Sequence, residues 1–157
     1  MTTPTILSVL NSNNLITILT GSNLNALASN ASVLGSSFSN VQADGAGLGM
    51  INAWAWIHLD SMAVAAGGSF QMWLLPSFDG GTTYSQGGTS VTPLSRPSIV
   101  WTPVVQTAAI DIILPLQVPN AANIKALLKN SATGAATPSN TNGFVKLAYF
   151  APQIVSI

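Results

Sequence analysis

Strict alternation of apolar and polar positions is the clearest pattern in this chain. Over residues 50–60, Ile51, Ala53, Ala55, Ile57 and Leu59 share one face of an extended strand, and Met50, Asn52, Trp54, Trp56, His58 and Asp60 share the other. Period two over this length predicts a β-strand. A second alternation follows, with Phe70, Met72 and Leu74 on one face and Ser69, Gln71, Trp73 and Leu75 on the other. The spacing predicts that these two strands form an antiparallel hairpin across Gly67-Gly68. Further strands are expected at Leu15 to Leu19, over residues 29–39, over residues 99–105 broken by Pro103, over residues 108–118 with Pro115 at an edge or bulge, at Asn123 to Asn130, where alternation favours a strand over a turn of helix, and over residues 144–152. Residues 1–14 read as an extended arm or a weak edge strand. Helix is expected at most around residues 23–28, because the Ser, Asn and Gly of residues 29–39 are poor helix formers.

Between the strands lie turn and loop signals. Residues 41–49 read as a loop. Residues 77–98 form a long Gly/Ser/Thr/Pro connection, and residues 131–143 a second one. Long structureless loops are usually functional or ordered by a partner. About eight short strands separated by turns, with hardly any helix, predict an all-β protein: an antiparallel β-sandwich of jelly-roll type. The 157 residues fit one domain, residues 1–157.

Composition narrows the function. Charged residues are 5% of the chain, with four Lys+Arg, four Asp and no Glu. An ordinary soluble domain has about 25%. Arg96, Lys125, Lys129 and Lys146 are the whole supply of cations, too few and too scattered to displace counterions from a nucleic acid. Residues 1–95 hold Asp44, Asp60 and Asp79, a charge of −3, and residues 96–157 hold four cations and Asp111, 4 − 1 = +3, so the net charge is zero. Such a surface has little electrostatic protection against self-association and suits a protein packed against others. No cysteine is present, which removes disulfides and thiolate chemistry. No Lys or Arg precedes Arg96, so no secretory leader is expected. The best apolar stretches are interrupted by His58 and Asp60 or by Asp111 and Pro115, so no membrane span is expected.

Catalysis has little to work with. His58 is the only histidine, with Asp60 two residues on and on the same strand face, where a hydrogen bond could orient the ring; no GxSxG elbow accompanies them. Asp44-Gly45 and Asp79-Gly80-Gly81 read as turn chemistry rather than calcium loops. Residues 45–49, GAGLG, precede a strand rather than a helix and lack the geometry of a dinucleotide fingerprint. A non-enzyme with no cofactor and no metal is expected. The tryptophans are the sharper feature. With the apolar faces turned to the core, Trp54, Trp56 and Trp73 would stand outside on one sheet, as a protein interface or a platform for sugar rings, unless loops or the arm cover them.

Two tracts carry a family resemblance. Trp73-Leu74-Leu75-Pro76-Ser77-Phe78-Asp79-Gly80-Gly81-Thr82-Thr83-Tyr84 and VPNAANIKALLKNSATGAA (residues 118–136), with the upstream small-residue strand ALASNASVLGSSFSN (residues 26–40), resemble the jelly-roll cement, or decoration, proteins of tailed bacteriophages. The resemblance spans residues 24–150. It implies a virion structural protein on the outer capsid surface, made in the host cytoplasm, that bridges major capsid subunits and contacts copies of itself as a dimer or trimer. Nucleic acid and membrane are not among the implied partners. Trp54, Trp56, His58, Trp73, Phe78 and Tyr84 are the candidate interface residues. The alternatives are a carbohydrate-binding module and a tail or baseplate protein of the same fold.

Overall fold

The computed structural model describes residues 5–40, 52–60, 68–85, 87–102, 108–131 and 141–155. Eight strands and one helical turn follow in the order β1 (Thr5–Leu19), α1 (Gly21–Leu24), β2 (Ser32–Ser39), β3 (Asn52–Leu59), β4 (Ser69–Ser77), β5 (Ile99–Trp101), β6 (Ile110–Gln117), β7 (Asn123–Ser131) and β8 (Phe144–Val155). Two four-stranded antiparallel sheets result. Sheet A has the order β1-β8-β3-β6 and sheet B the order β2-β7-β4-β5. Most successive strands change sheet, and this is the jelly-roll order the turn spacing predicts. Residues 5–14 belong to β1. Ile51, Gly67, the loop over 41–49 and most of the 131–143 connection lie outside the described residues, as do residues 1–4.

One expectation fails. β3 and β4 are not a hairpin: β3 pairs with β6 and β8 in sheet A, and β4 with β5 and β7 in sheet B. The two strands face each other across the core instead. Their link, residues 60–68, is far longer than the two-residue loop of a tight hairpin. It leaves the chain room to step between sheets packed about 10 Å apart.

The core is built from the predicted alternations. Ala53, Ala55, Ile57 and Leu59 point inward from sheet A, with Val145 and Leu147; Phe70, Met72, Leu74, Ile124, Ala126 and Leu128 meet them from sheet B. Phe70 stacks on Trp101 with ring centroids 5.3 Å apart. Buried Asn130 ties the entry to β2 onto β7: its side-chain amide donates to Leu27 O at 2.9 Å, and its backbone N–H donates to Ala31 O at 3.0 Å. Among the described residues no helix is long and apolar enough to cross a membrane.

The edge strands β1 and β2 close one side of the sandwich. The approach is tightest at Gly35, beside the register shift between Leu34 and Ser37. A Cβ at Gly35 would run into the Ile18 carbonyl oxygen and touch Leu19 Cδ2 at 3.0 Å. Only glycine permits this backbone contact. Gly35→Ala is therefore expected to lower the unfolding free energy by about 1–3 kcal/mol, as overpacking does. Gly88→Ala, where a Cβ meets nothing within 4 Å, should change it by less than about 0.5 kcal/mol. Denaturant titration of the two variants checks both values.

Candidate functional site

Alternation that turns Ala53, Ala55 and Ile57 inward turns Trp54, Trp56 and His58 outward on sheet A. The register then fixes their neighbours. His58 lies between Asp111 and Phe144, Trp56 between Ile113 and Lys146, and Trp54 between Pro115 and Ala148. Leu15 and Thr17 of β1 extend the last two rows, opposite Ala148 and Lys146. Leu15, Trp54 and Ile113 are exposed at 42%, 42% and 61%. Leu15 stands across Ala148 from Trp54, and Ile113 is in the neighbouring row on β6, so three exposed apolar side chains are spread over one sheet face.

One end of this face is a locked polar–aromatic cluster. Trp56 Nε1–H donates to Asp111 Oδ1 at 2.6 Å, and His58 Nδ1–H donates to the same oxygen at 2.9 Å. The two donors hold the Asp111 carboxyl below its ordinary value, Trp56 contributing most and His58 next. Phe144 packs edge-on to Trp56 at 4.9 Å between centroids and stacks on His58 at 5.1 Å. The Lys146 ammonium stands 4.1 Å from the Phe144 ring centre and 5.7 Å from that of Trp56. Even the one cation of the face is thus drawn over aromatic rings. The partner that orients His58 is Asp111 on the neighbouring strand; Asp60 Oδ1 lies 3.9 Å from Nε2. The two carboxylates approach opposite nitrogens of the ring and do not converge on one point. Among the described residues no three His, Asp or Glu side chains are placed to hold a metal ion. What the cluster does is fix rings: Trp56 and Phe144 present a rigid surface whose ordering cost is already met.

Trp73 stands elsewhere. It points outward from sheet B, not sheet A, and is 3% exposed. With Leu75 and Leu127 it forms a second apolar cluster, flanked by Leu34 and Tyr84. The 77–98 connection covers this cluster. Trp73 Nε1–H donates to Ser95 O at 2.9 Å, Leu74 N–H to Ser98 Oγ at 3.1 Å, Ser85 N–H to Pro76 O at 2.9 Å, and Lys129 Nζ to Thr92 Oγ1 at 2.8 Å. The expectation of three exposed tryptophans on one sheet is corrected: Trp73 is buried on the other sheet, Trp56 is half-buried, and Trp54 is exposed. The connection is held by its own sheet, so no neighbour is needed to order it. Phe78 and Tyr84 also separate: Phe78 projects at 82% exposure, while Tyr84 is half-buried with the Lys125 ammonium 4.6 Å from its ring centre.

The tract that follows Trp73 is a self-capping turn. Asp79 Oδ1 accepts from Ser77 Oγ at 2.7 Å and from Thr83 N–H at 2.8 Å, while Ser77 Oγ accepts from Gly81 N–H at 2.9 Å. Gly80 and Gly81 take φ of 74° and 93°, which side chains disfavour. The Thr83 N–H and then the Ser77 hydroxyl hold the Asp79 carboxyl down at about 2.

Two predictions follow from this side of the molecule. Trp73→Ala should cost about 3–5 kcal/mol, as for other buried tryptophans, and limited proteolysis should cut residues 77–98 faster in the variant than in wild type. A depressed carboxyl stabilises the fold above its unfolded value of 3.8 and loses that contribution as pH falls toward 2. Asp79→Ala should therefore be less stable than wild type at pH 7, with the gap narrowing across that acid window. Denaturation midpoints at a series of pH values measure it. No protein-family model, no curated protein and no solved structure matches this chain.

Proposed function

We propose that this protein is a structural component of a tailed-bacteriophage virion, a cement or decoration protein that binds the outside of the capsid and bridges major capsid subunits. One observation carries the reading. The outer face of sheet B has Trp73, Leu75 and Leu127 buried under the chain's own 77–98 connection, whereas the outer face of sheet A leaves Leu15, Trp54 and Ile113 exposed beside a locked Trp56–Phe144 pair. An apolar face of this kind on a small domain marks a protein interface. The resemblance of residues 24–150 to decoration proteins supplies the partner.

The physics of the surface supports a binding role without catalysis. With charged residues at 5% of the chain, such an interface depends little on ionic strength. Buried area does not by itself set affinity. Repetition does more: a subunit that meets the lattice at several points, or touches copies of itself there, is held by effective concentration rather than by one strong contact.

Cryo-electron microscopy of the particle that carries the chain tests the proposal. The expected result is density for this sandwich on the outer head, with sheet A against two or more shell subunits. Density only on the tail moves the protein to the tail or baseplate, and density on no particle contradicts a virion role. Ile113→Lys puts a charge at an exposed site and should weaken binding to heads at least about ten-fold, or 1.4 kcal/mol. Unchanged binding would remove sheet A as the contact.

A further inference from the structure

A cleft opens where β3 begins and β6 ends. Asn52 and Gln117 are Cα partners there, and the strand-entry residues Pro97 and Ser98 face them from the sheet B side. Its volume is about 730 Å³, within the roughly 300–1,000 Å³ typical of small-ligand sites.

The lining specifies the chemistry of what fits. None of the described lining residues is ionisable, so among them a charged ligand would lose hydration and find no counter-charge. Pro97, Pro115 and Pro119 form much of the wall. Proline has no N–H, so these walls present C–H surface and few donors. Polar recognition therefore falls to side chains. Asn52 and Gln117 are both exposed, and neither amide is engaged by another described side chain or backbone group. A carboxamide both donates and accepts, which matches a hydroxyl group that does the same. Ser98 Oγ accepts from Leu74 N–H at 3.1 Å, so its own proton is left to donate. Trp54, 42% exposed, supplies an aromatic ring at the same cleft. The negative face of an indole attracts the positively polarised C–H groups of a sugar ring.

The walls are also fixed before any ligand arrives. Asn40 Nδ2 donates to Pro119 O at 3.0 Å, Ser98 is held by β4, and Pro115 sits in register with Trp54. We infer that this cleft binds a neutral carbohydrate, with Trp54 under one sugar ring and Asn52, Gln117 and Ser98 on its hydroxyls. A proline-rich peptide is the competing ligand for a Trp/Pro groove. Grooves that read such peptides use several aromatic ridges, and this one has a single aromatic residue among the described ones. The cleft shares Trp54 with the open face of sheet A used in the capsid reading, whereas Asn52, Gln117 and Ser98 enter only here.

The test is a titration of the full chain with neutral oligosaccharides of glucose, mannose, galactose and N-acetylglucosamine, followed by NMR at the Asn52 and Gln117 side-chain amides and the Trp54 indole N–H. Saturable shifts at these three groups with at least one sugar are expected. Trp54→Ala and Gln117→Ala, both at exposed positions that tolerate truncation, should each weaken binding at least ten-fold while shifts elsewhere stay native. Leu94→Ser, in the connection over sheet B, should leave it unchanged. No shift with any sugar at millimolar concentration overturns the inference. So do shifts confined to other residues, or saturation by a proline-rich peptide alone.

Discussion

Burial of alternating side chains between two sheets is the interaction on which the rest of this protein depends. Ala53, Ala55, Ile57 and Leu59 on one side, and Phe70, Met72, Leu74 and Ile124 on the other, leave water together. Each large side chain buried this way contributes about 1.5–3 kcal/mol. Because the strand period is two, that one choice also decides what every strand shows outward. A slip of one residue in β3 would send Trp54, Trp56 and His58 into the core, so the register that makes the core makes the outer face as well.

The two outer faces are then resolved differently. Sheet B sends out Trp73, Leu75 and Leu127 and folds its own connection over them, anchored by the Trp73–Ser95 hydrogen bond. Sheet A sends out Trp54, Trp56 and Ile113. Its aromatic residues are held by Asp111, Phe144 and Lys146 at one end and open to solvent at the other. Other large apolar side chains are exposed as well, Phe78, Val91 and Leu94 in the 77–98 connection and Val100 on β5, but only on sheet A do they stand beside a locked aromatic pair. The low charge, the covered sheet and the bare sheet fit one account, in which the protein works by being bound.

Much of this was legible in the sequence, for a physical reason. Alternation over residues 51–60 and 69–75 is a local signal, and it gave the right inward faces for Ala53 to Leu59 and for Phe70 to Leu74. Pairing is not local: the same alternation suits a hairpin and two strands facing across a core, and the nine-residue link was the cue for the second. Trp73 was misplaced because its burial comes from a connection that only the tertiary fold brings over it. A signal did exist. Met72-Trp73-Leu74-Leu75 and Leu127-Leu128 break the alternation with consecutive apolar residues, the mark of a strand buried on both faces. The pairing of His58 and Trp56 with Asp111 had no such cue, since it depends on the β3–β6 register across 53 and 55 residues. The cleft at Asn52 and Gln117 was hidden for the same reason.

The central claim is that the bare face of sheet A is the surface by which this protein is held. Hydroxyl-radical footprinting of the free chain and of the chain bound to the phage heads proposed as its partner tests it directly. The account predicts that Leu15, Trp54 and Ile113 are labelled in the free chain and protected on those heads, while Phe78 and Leu94 in the connection over sheet B keep at least part of their labelling. Protection confined to Phe78, Leu94 and the 77–98 connection, with Trp54 and Ile113 still labelled, would contradict it.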